Sequence, residues 1–189
     1  MAKQNKNNHL SEVRIIAGQW RGRKIAFTEV EGLRPTSDRV RETLFNWLQE
    51  IVGRSRCLDL FAGSGALGFE AASRGAELVT LVESNREVAK QLESTRESMS
   101  ADSCQVHNSS AMDYLDSTTQ KYDIVFVDPP YKANMWTQIA EKMVEKAILS
   151  DNAYIYLEYP SHIDLPVLPS QWQLVKDKKA GAVRYCLLQ

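Results

Sequence analysis

Asp128, Pro129, Pro130 and Tyr131 form a run whose types and order could do chemistry on a flat nitrogen heterocycle. The acid offers a carboxylate acceptor and the tyrosine offers a π-face. A ring can stack on the tyrosine while an exocyclic amine hydrogen goes to the acid. Neither proline donates a hydrogen bond, and each holds the residue before it extended, so the acceptor sits on a stiff loop. The same run also reads as a proline-terminated turn with a half-buried tyrosine. Its position after a strand favours the chemical reading. Ile124, Val125, Phe126 and Val127 form a continuous apolar run, which predicts a buried parallel strand over 123–127. A loop at the carboxyl end of such a strand is where an open α/β sheet places its ligands.

A second cluster lies upstream. Residues 57–68 read as a strand, a glycine turn and the start of a helix, with Gly63, Gly65 and Gly68 in a G-x-G-x-x-G pattern. Glycines there let the backbone approach a ligand closely. Glu83 closes the next strand, 77–83, eighteen residues after Gly65. An acid at that place can accept both ribose hydroxyls of an adenosine. The glycine pattern alone also fits a tight βα turn beside a surface glutamate; strand, helix and distal acid together point to a nucleoside-bearing cofactor. Ser110 and Ala111 fall at the end of a third strand, 105–107, where they could edge an adenine.

Other elements must hold these groups. Val40, Leu44, Leu48 and Ile51 predict a helix capped by Thr36 or Ser37 and closed by Gly53, with Arg34 and Thr36 at its entrance. Further helices are expected after the glycine turn up to Arg74, over 85–99, briefly after Ala111, and over 134–149. A fifth strand is expected over 154–158, then a hairpin pairing 172–176 with 183–188 around 177–181. Length 189 fits one domain with a small appendage: a basic tail and β-extension over 1–32, then the main domain over 33–189.

Hydrophobic content of 43% and charged content of 25% are ordinary for a globular chain. The polar start lacks the apolar core of a signal peptide, and no run is long enough to span a bilayer. Cys57, Cys104 and Cys186 are odd in number and far apart, so buried thiols in a reducing, cytoplasmic setting are expected. His9, His107 and His162 show no metal spacing, and no metal is expected. Net charge is only −1, yet residues 1–56 hold eleven Lys and Arg against six Asp and Glu, and the remainder twelve against eighteen. Arg14, Arg21, Arg23 and Lys24 gather around Trp20 on a hairpin turning at 17–19. They suit the phosphates of a polyanion, with Trp20 packed on the domain.

The order of elements resembles the class I S-adenosylmethionine-dependent methyltransferase fold, an α/β Rossmann-like architecture. That resemblance implies a seven-stranded, mostly parallel sheet with its last strand antiparallel. Four stretches go further: 14–24, 33–48, 61–68 and 127–131 are similar to the bacterial RsmD family, over about residues 11–188. The family implies methyl transfer from S-adenosyl-L-methionine to N2 of one guanine in 16S small-subunit ribosomal RNA, within a ribosomal particle, by a monomer. It carries cofactor roles onto Arg34, Thr36, Asp59, Phe61, Ala62, Gly63, Ser64, Gly65, Leu67, Glu83, Ser84, Asn85, Ser110 and Ala111. RNA contacts fall on Arg14, Arg21, Arg23, Lys24 and Arg39, and catalysis on Asp128, Pro129, Pro130 and Tyr131. The family often has Asp or Asn where this chain has Ser110.

Guanine N2 attacks poorly because its lone pair is delocalised into the ring. Asp128, ionised at neutral pH by a reference pKa of about 3.9, is expected to accept an N2 hydrogen and stabilise the charge developing there. A DNA adenine-N6 methyltransferase would use the same acid loop, but usually with a recognition domain for which this chain has little room. A nicotinamide-dependent oxidoreductase would share the glycine turn and Glu83 without needing residues 128–131. A non-catalytic RNA-binding module would need neither loop.

Overall fold

An antiparallel ribbon opens the chain: β1, Leu10–Arg14, pairs with β2, Lys24–Thr28. The computed structural model describes residues 10–28, 36–130 and 134–189; the expected tail, Arg34 and Tyr131 lie outside the described residues. Helix α1, Asp38–Trp47, starts where the Ser37 side chain accepts the Val40 N–H. There follow β3 (Arg56–Asp59), α2 (Ala66–Ser73), β4 (Leu78–Glu83), α3 (Arg86–Met99), β5 (Cys104–Asn108) and α4 (Ala111–Ser117). The chain closes with β6 (Tyr122–Val127), α5 (Trp136–Glu145), β7 (Leu149–Pro160), β8 (Leu174–Ala180) and β9 (Val183–Leu188).

Seven strands form one sheet in the order β5-β4-β3-β6-β7-β9-β8. Strands β3 to β7 run parallel, and β9, the last in the chain, runs antiparallel to both neighbours. The chain moves outward from β3 to β5 and then returns to β6 on β3's other side. The crevice between β3 and β6 is therefore the topological switch point, and their carboxyl ends flank it. One face is covered by α1, α2, α3 and the β1–β2 ribbon, the other by α4 and α5. No helix among the described residues is long and apolar enough to cross a membrane.

Three boundaries differ from the sequence reading. Helix α1 stops at Trp47, and residues after Leu48 turn back through Val52 N–H to Leu48 O, so Gly53 does not close it. Helix α5 stops at Glu145 and β7 already begins at Leu149, because Leu149 registers against Tyr122 of the central sheet. The hairpin turns at Gly181 and Ala182, since β8 continues through Lys178 and Lys179 to Ala180 opposite Val183. In both strands ladder bonds to a neighbour outweigh a polar composition that reads locally as loop.

The β1–β2 ribbon is built into the domain. Helix α2 is buried along its whole length, including Glu70 and Ser73. Glu70 accepts the N–H groups of Ile16 and Ala17 at 2.7 and 3.1 Å, and the Ser73 hydroxyl donates to Ala17 O at 2.6 Å. Gly18 has φ +83°, and a Cβ there would stand 1.8 Å from the Ser73 carbonyl oxygen, so only glycine lets the loop approach so closely. Buried Arg41 joins the same knot, donating to Arg14 O at 2.8 Å and lying 3.7 Å from Glu70. Trp20 packs in this core at 7% exposure, as expected.

Candidate active site

The glycine turn is strapped across the switch point. Leu60 N–H donates to Phe126 O of β6 at 3.1 Å, and Ala62 N–H donates to Val82 O of β4 at 2.9 Å. Gly65 caps α2 with φ +77°, a left-handed conformation that a side chain would strain; a Cβ there would also meet the Phe69 ring at 2.6 Å. Phe61 and Gly63 are half-exposed, whereas Ala62, Ser64, Gly65 and Leu67 are buried. Asp59, buried at the end of β3, accepts the Gly68 N–H at 3.0 Å. Burial pushes its carboxyl up to about 7; the Gly68 N–H opposes this, the Glu83 charge adds to it, and the Phe61 N–H opposes it.

Glu83 lies against the turn. One carboxylate oxygen accepts the Gly63 N–H at 3.0 Å and the other accepts the Asn85 N–H at 2.7 Å. Asn85 caps α3, with its side chain accepting from Glu87 and Val88 N–H groups, and Ser84 reaches Glu83 at 3.5 Å. Asn108, which sequence reasoning passed over, donates to the carbonyls of Glu83 and Ser84 at 2.9 and 3.1 Å and fixes the exit of β4. Ser110 caps α4: it accepts the Asp113 N–H at 3.1 Å and gives its own proton to the Asp113 carboxylate at 2.6 Å. Toward an adenine it therefore offers an acceptor only. Ala111 is buried behind it.

Asp128 follows β6 on the other side of the crevice. Pro129 is buried and Pro130 exposed. The Thr36 hydroxyl approaches the Asp128 carboxylate at 3.5 Å. Asp128 itself is half-buried. That burial, then the charges of Glu158 and Asp59, raises its proton affinity well above the ordinary carboxylate range, while Thr36 opposes. The expectation that Asp128 is ionised simply by its reference pKa is thus corrected: in the free protein its proton is held much more tightly. Glu158 and Asp59 converge on it only through strand order, so no local signal marks them as its neighbours.

The basic candidates separate into two groups. Arg23 donates to the Ser98 carbonyl at 2.9 Å, and Lys24 pairs with Glu12 at 2.6 Å. Arg14, Arg21 and Arg39 are exposed and make no ion pair with a described residue. Arg39 stands on the first turn of α1, three residues after Thr36 at the Asp128 loop. Arg41 bonds both Asp38 of that turn and the Arg14 carbonyl, so Arg14 stands near the same mouth. Among the described residues no group of His, Cys, Asp and Glu forms a metal site.

A sheet in this order with its last strand reversed, a glycine turn and an acid loop facing each other across the switch point, defines a class I methyltransferase. The family model described as "Conserved hypothetical protein 95" matches residues 13–189. The ribosomal RNA small subunit methyltransferase D of Escherichia coli strain K12 is 45% identical over 186 residues, 97% of this chain and 94% of its own. The chain belongs to this family, the RsmD family. A solved structure described as a putative methyltransferase, yhhF, from E. coli superposes with a TM-score of 0.87 at 43% identity, covering 95% of this chain and 98% of that one. A T. thermophilus 16S rRNA N2 methyltransferase, RsmC, in complex with AdoMet and guanosine, shares the fold with a TM-score of 0.66 at 21% identity, covering 96% of this chain and 50% of that one.

Proposed function

We propose that this methyltransferase moves a methyl group from S-adenosylmethionine to the exocyclic N2 of a guanine in 16S ribosomal RNA. The observation that carries the reading is the placement of Asp128 and the Gly63–Glu83 turn at the carboxyl ends of neighbouring strands. When bound, the cofactor would supply an electrophilic methyl on a sulfonium. The residues present suit it. Each Glu83 carboxylate oxygen keeps lone-pair capacity for a ribose hydroxyl beyond its backbone contact. Asp59 and Glu83 set acids against the glycine turn and the start of α2, which favours a cation. The same feature opposes a dinucleotide: Asp59 already takes the Gly68 N–H at the start of α2, where a pyrophosphate would bind. The basic mouth suits a nucleic-acid backbone, and relatives named for ribosomal RNA support RNA over DNA.

Methyl transfer in vitro to 16S RNA, naked and in assembled small-subunit particles, tests the reading against duplex DNA. N2-methylguanine in the digested RNA is expected; N6-methyladenine in DNA overturns it. Glu83→Gln is expected to raise the cofactor Kd roughly 10-fold by weakening a charge-assisted contact, measured by calorimetry; an unchanged Kd would remove Glu83 from the cofactor site. Alanine at Arg14, Arg21 or Arg39 is expected to weaken RNA binding and flatten its salt dependence by about one unit of log–log slope each. Arg23→Ala and Lys24→Ala should change that slope less, since those cations already have protein partners. Filter binding across a salt series distinguishes the two groups.

A further inference from the structure

We propose that Glu158 is a positioning residue of the reaction that acts through Asp128, keeping that carboxylate able to take the proton a methylated nitrogen must shed. The proposal rests on the amine-methylation reading above. The last registered pair of β6 and β7 is Val127 with Leu157, and Asp128 and Glu158 are the next residues along these neighbouring chains. Residues paired across parallel strands project to the same face. Two residues earlier Phe126 and Tyr156 obey this, with ring centroids 6.4 Å apart. Glu158 is 5% exposed, an uncommon place for an acid. It is also held fast: its Oε2 accepts the Tyr156 hydroxyl at 2.7 Å and its carbonyl accepts the buried Trp136 Nε1–H at 2.8 Å.

The chemistry gives this neighbour a use. As the exocyclic nitrogen's lone pair forms the N–C bond, the methyl's bond to sulfur breaks and that electron pair stays on sulfur. The nitrogen is left cationic with a surplus N–H; that bond breaks and the proton passes to the Asp128 carboxylate. An acceptor with the proton affinity of an ordinary exposed aspartate takes such a proton weakly, and one poised nearer working pH takes it well. Among the described residues, the groups facing Asp128 are Asp59 from β3, Glu158 from β7 and the Thr36 hydroxyl before α1. On α1 itself, Asp38 and Arg41 pair with each other and Arg39 is exposed. After burial, Glu158 is the largest contributor holding the Asp128 proton.

The test titrates the Asp128 carboxyl of the free enzyme by NMR with 13C-labelled aspartate, the signal being assigned by its loss in Asp128→Asn. A pH profile of single-turnover methyl transfer runs alongside. In the wild type the carboxyl is expected to titrate above the usual carboxylate range, and transfer to rise with pH through the same midpoint. Glu158→Gln keeps an oxygen for the Tyr156 hydroxyl but removes the charge. It is expected to lower both midpoints by about one pH unit, with cofactor Kd within a few-fold. A midpoint that stays put, or one that moves without the rate profile, overturns the proposal. Should that variant fail to fold, Tyr156→Phe is expected to lower the midpoint by a smaller amount, because a less stabilised Glu158 keeps its own proton longer; no movement overturns it equally. If no form makes N2-methylguanine, the guanine reading fails, while the NMR midpoint still judges the coupling of the two acids.

Discussion

Asp128→Ala is expected to lower the single-turnover rate of methyl transfer by roughly 10²–10⁴-fold, the range for a positioned proton acceptor, while cofactor affinity stays within a few-fold. The methylated nitrogen must shed a proton to become product, and Asp128, on the Pro129-Pro130 loop at the crevice, is the acceptor proposed for it. The cofactor's ribose and adenine would be held elsewhere, at Glu83 and the end of β5. Calorimetry and rapid-quench assays on the same preparations separate the two effects. Equal losses of affinity and rate would refute the assignment.

The same variant should not harm the fold. Asp128 binds its proton more tightly in the folded chain than an exposed aspartate does. Such a group stabilises the fold fully only at low pH, and that contribution is lost as the pH rises through the folded-state pKa. Above that folded-state pKa the ionised carboxylate opposes folding, so there its removal leaves Tm unchanged or higher.

Glu70→Ala is expected to do the reverse, destabilising the protein by about 3–5 kcal/mol. That corresponds to a fall in Tm on the order of 10 °C for a chain of this size. Glu70 is fully buried and ties four groups: the Ile16 and Ala17 N–H, Arg74 at 2.7 Å and Arg41 at 3.7 Å. Removing it takes away the one buried carboxylate beside the fully buried Arg41 guanidinium among the described residues and leaves it only the exposed Asp38 as an ion partner. Arg41 Nε and Nη1 already lack a hydrogen-bond partner among the described residues, so little remains to absorb the loss. Scanning calorimetry measures the whole, and hydrogen exchange at Ile16 and Ala17 reports the local release of the ribbon. A Tm within 2 °C of wild type, with exchange unchanged, would show that the clamp contributes little.

Elements whose boundaries are set by local chemistry were legible. The strand before Asp128 ends at its prolines, α3 begins at the Asn85 cap, and Gly63 and Gly65 shape the turn after β3. Elements completed by a distant partner were not. Residues 149–153 are polar apart from Leu149 and Ala153, yet they belong to β7: Leu149 registers against Tyr122 of β6, and 150–153 bulge before the register resumes at Ile124 and Tyr154. Lys178 and Lys179 read as a loop but extend β8 along β9. Glu70 and Ser73 look like polar residues on an ordinary helix; only the folded chain brings residues 15–20 against them.

The sequence by itself determined which groups could act: an acid on a rigid proline loop, a glycine turn, and an acid one strand further on. It did so because short-range rules for proline, glycine and strand ends need no partner. Tertiary structure decided the protonation of Asp128 and the commitment of the basic residues. Proton affinity in a buried cluster depends on charges brought in by neighbouring strands, and Glu158 lies thirty residues from Asp128 along the chain but beside it across the sheet. Likewise Arg23 and Lys24 match Arg14 and Arg21 as residue types, yet α3 and β1 engage the first pair and leave the second facing outward.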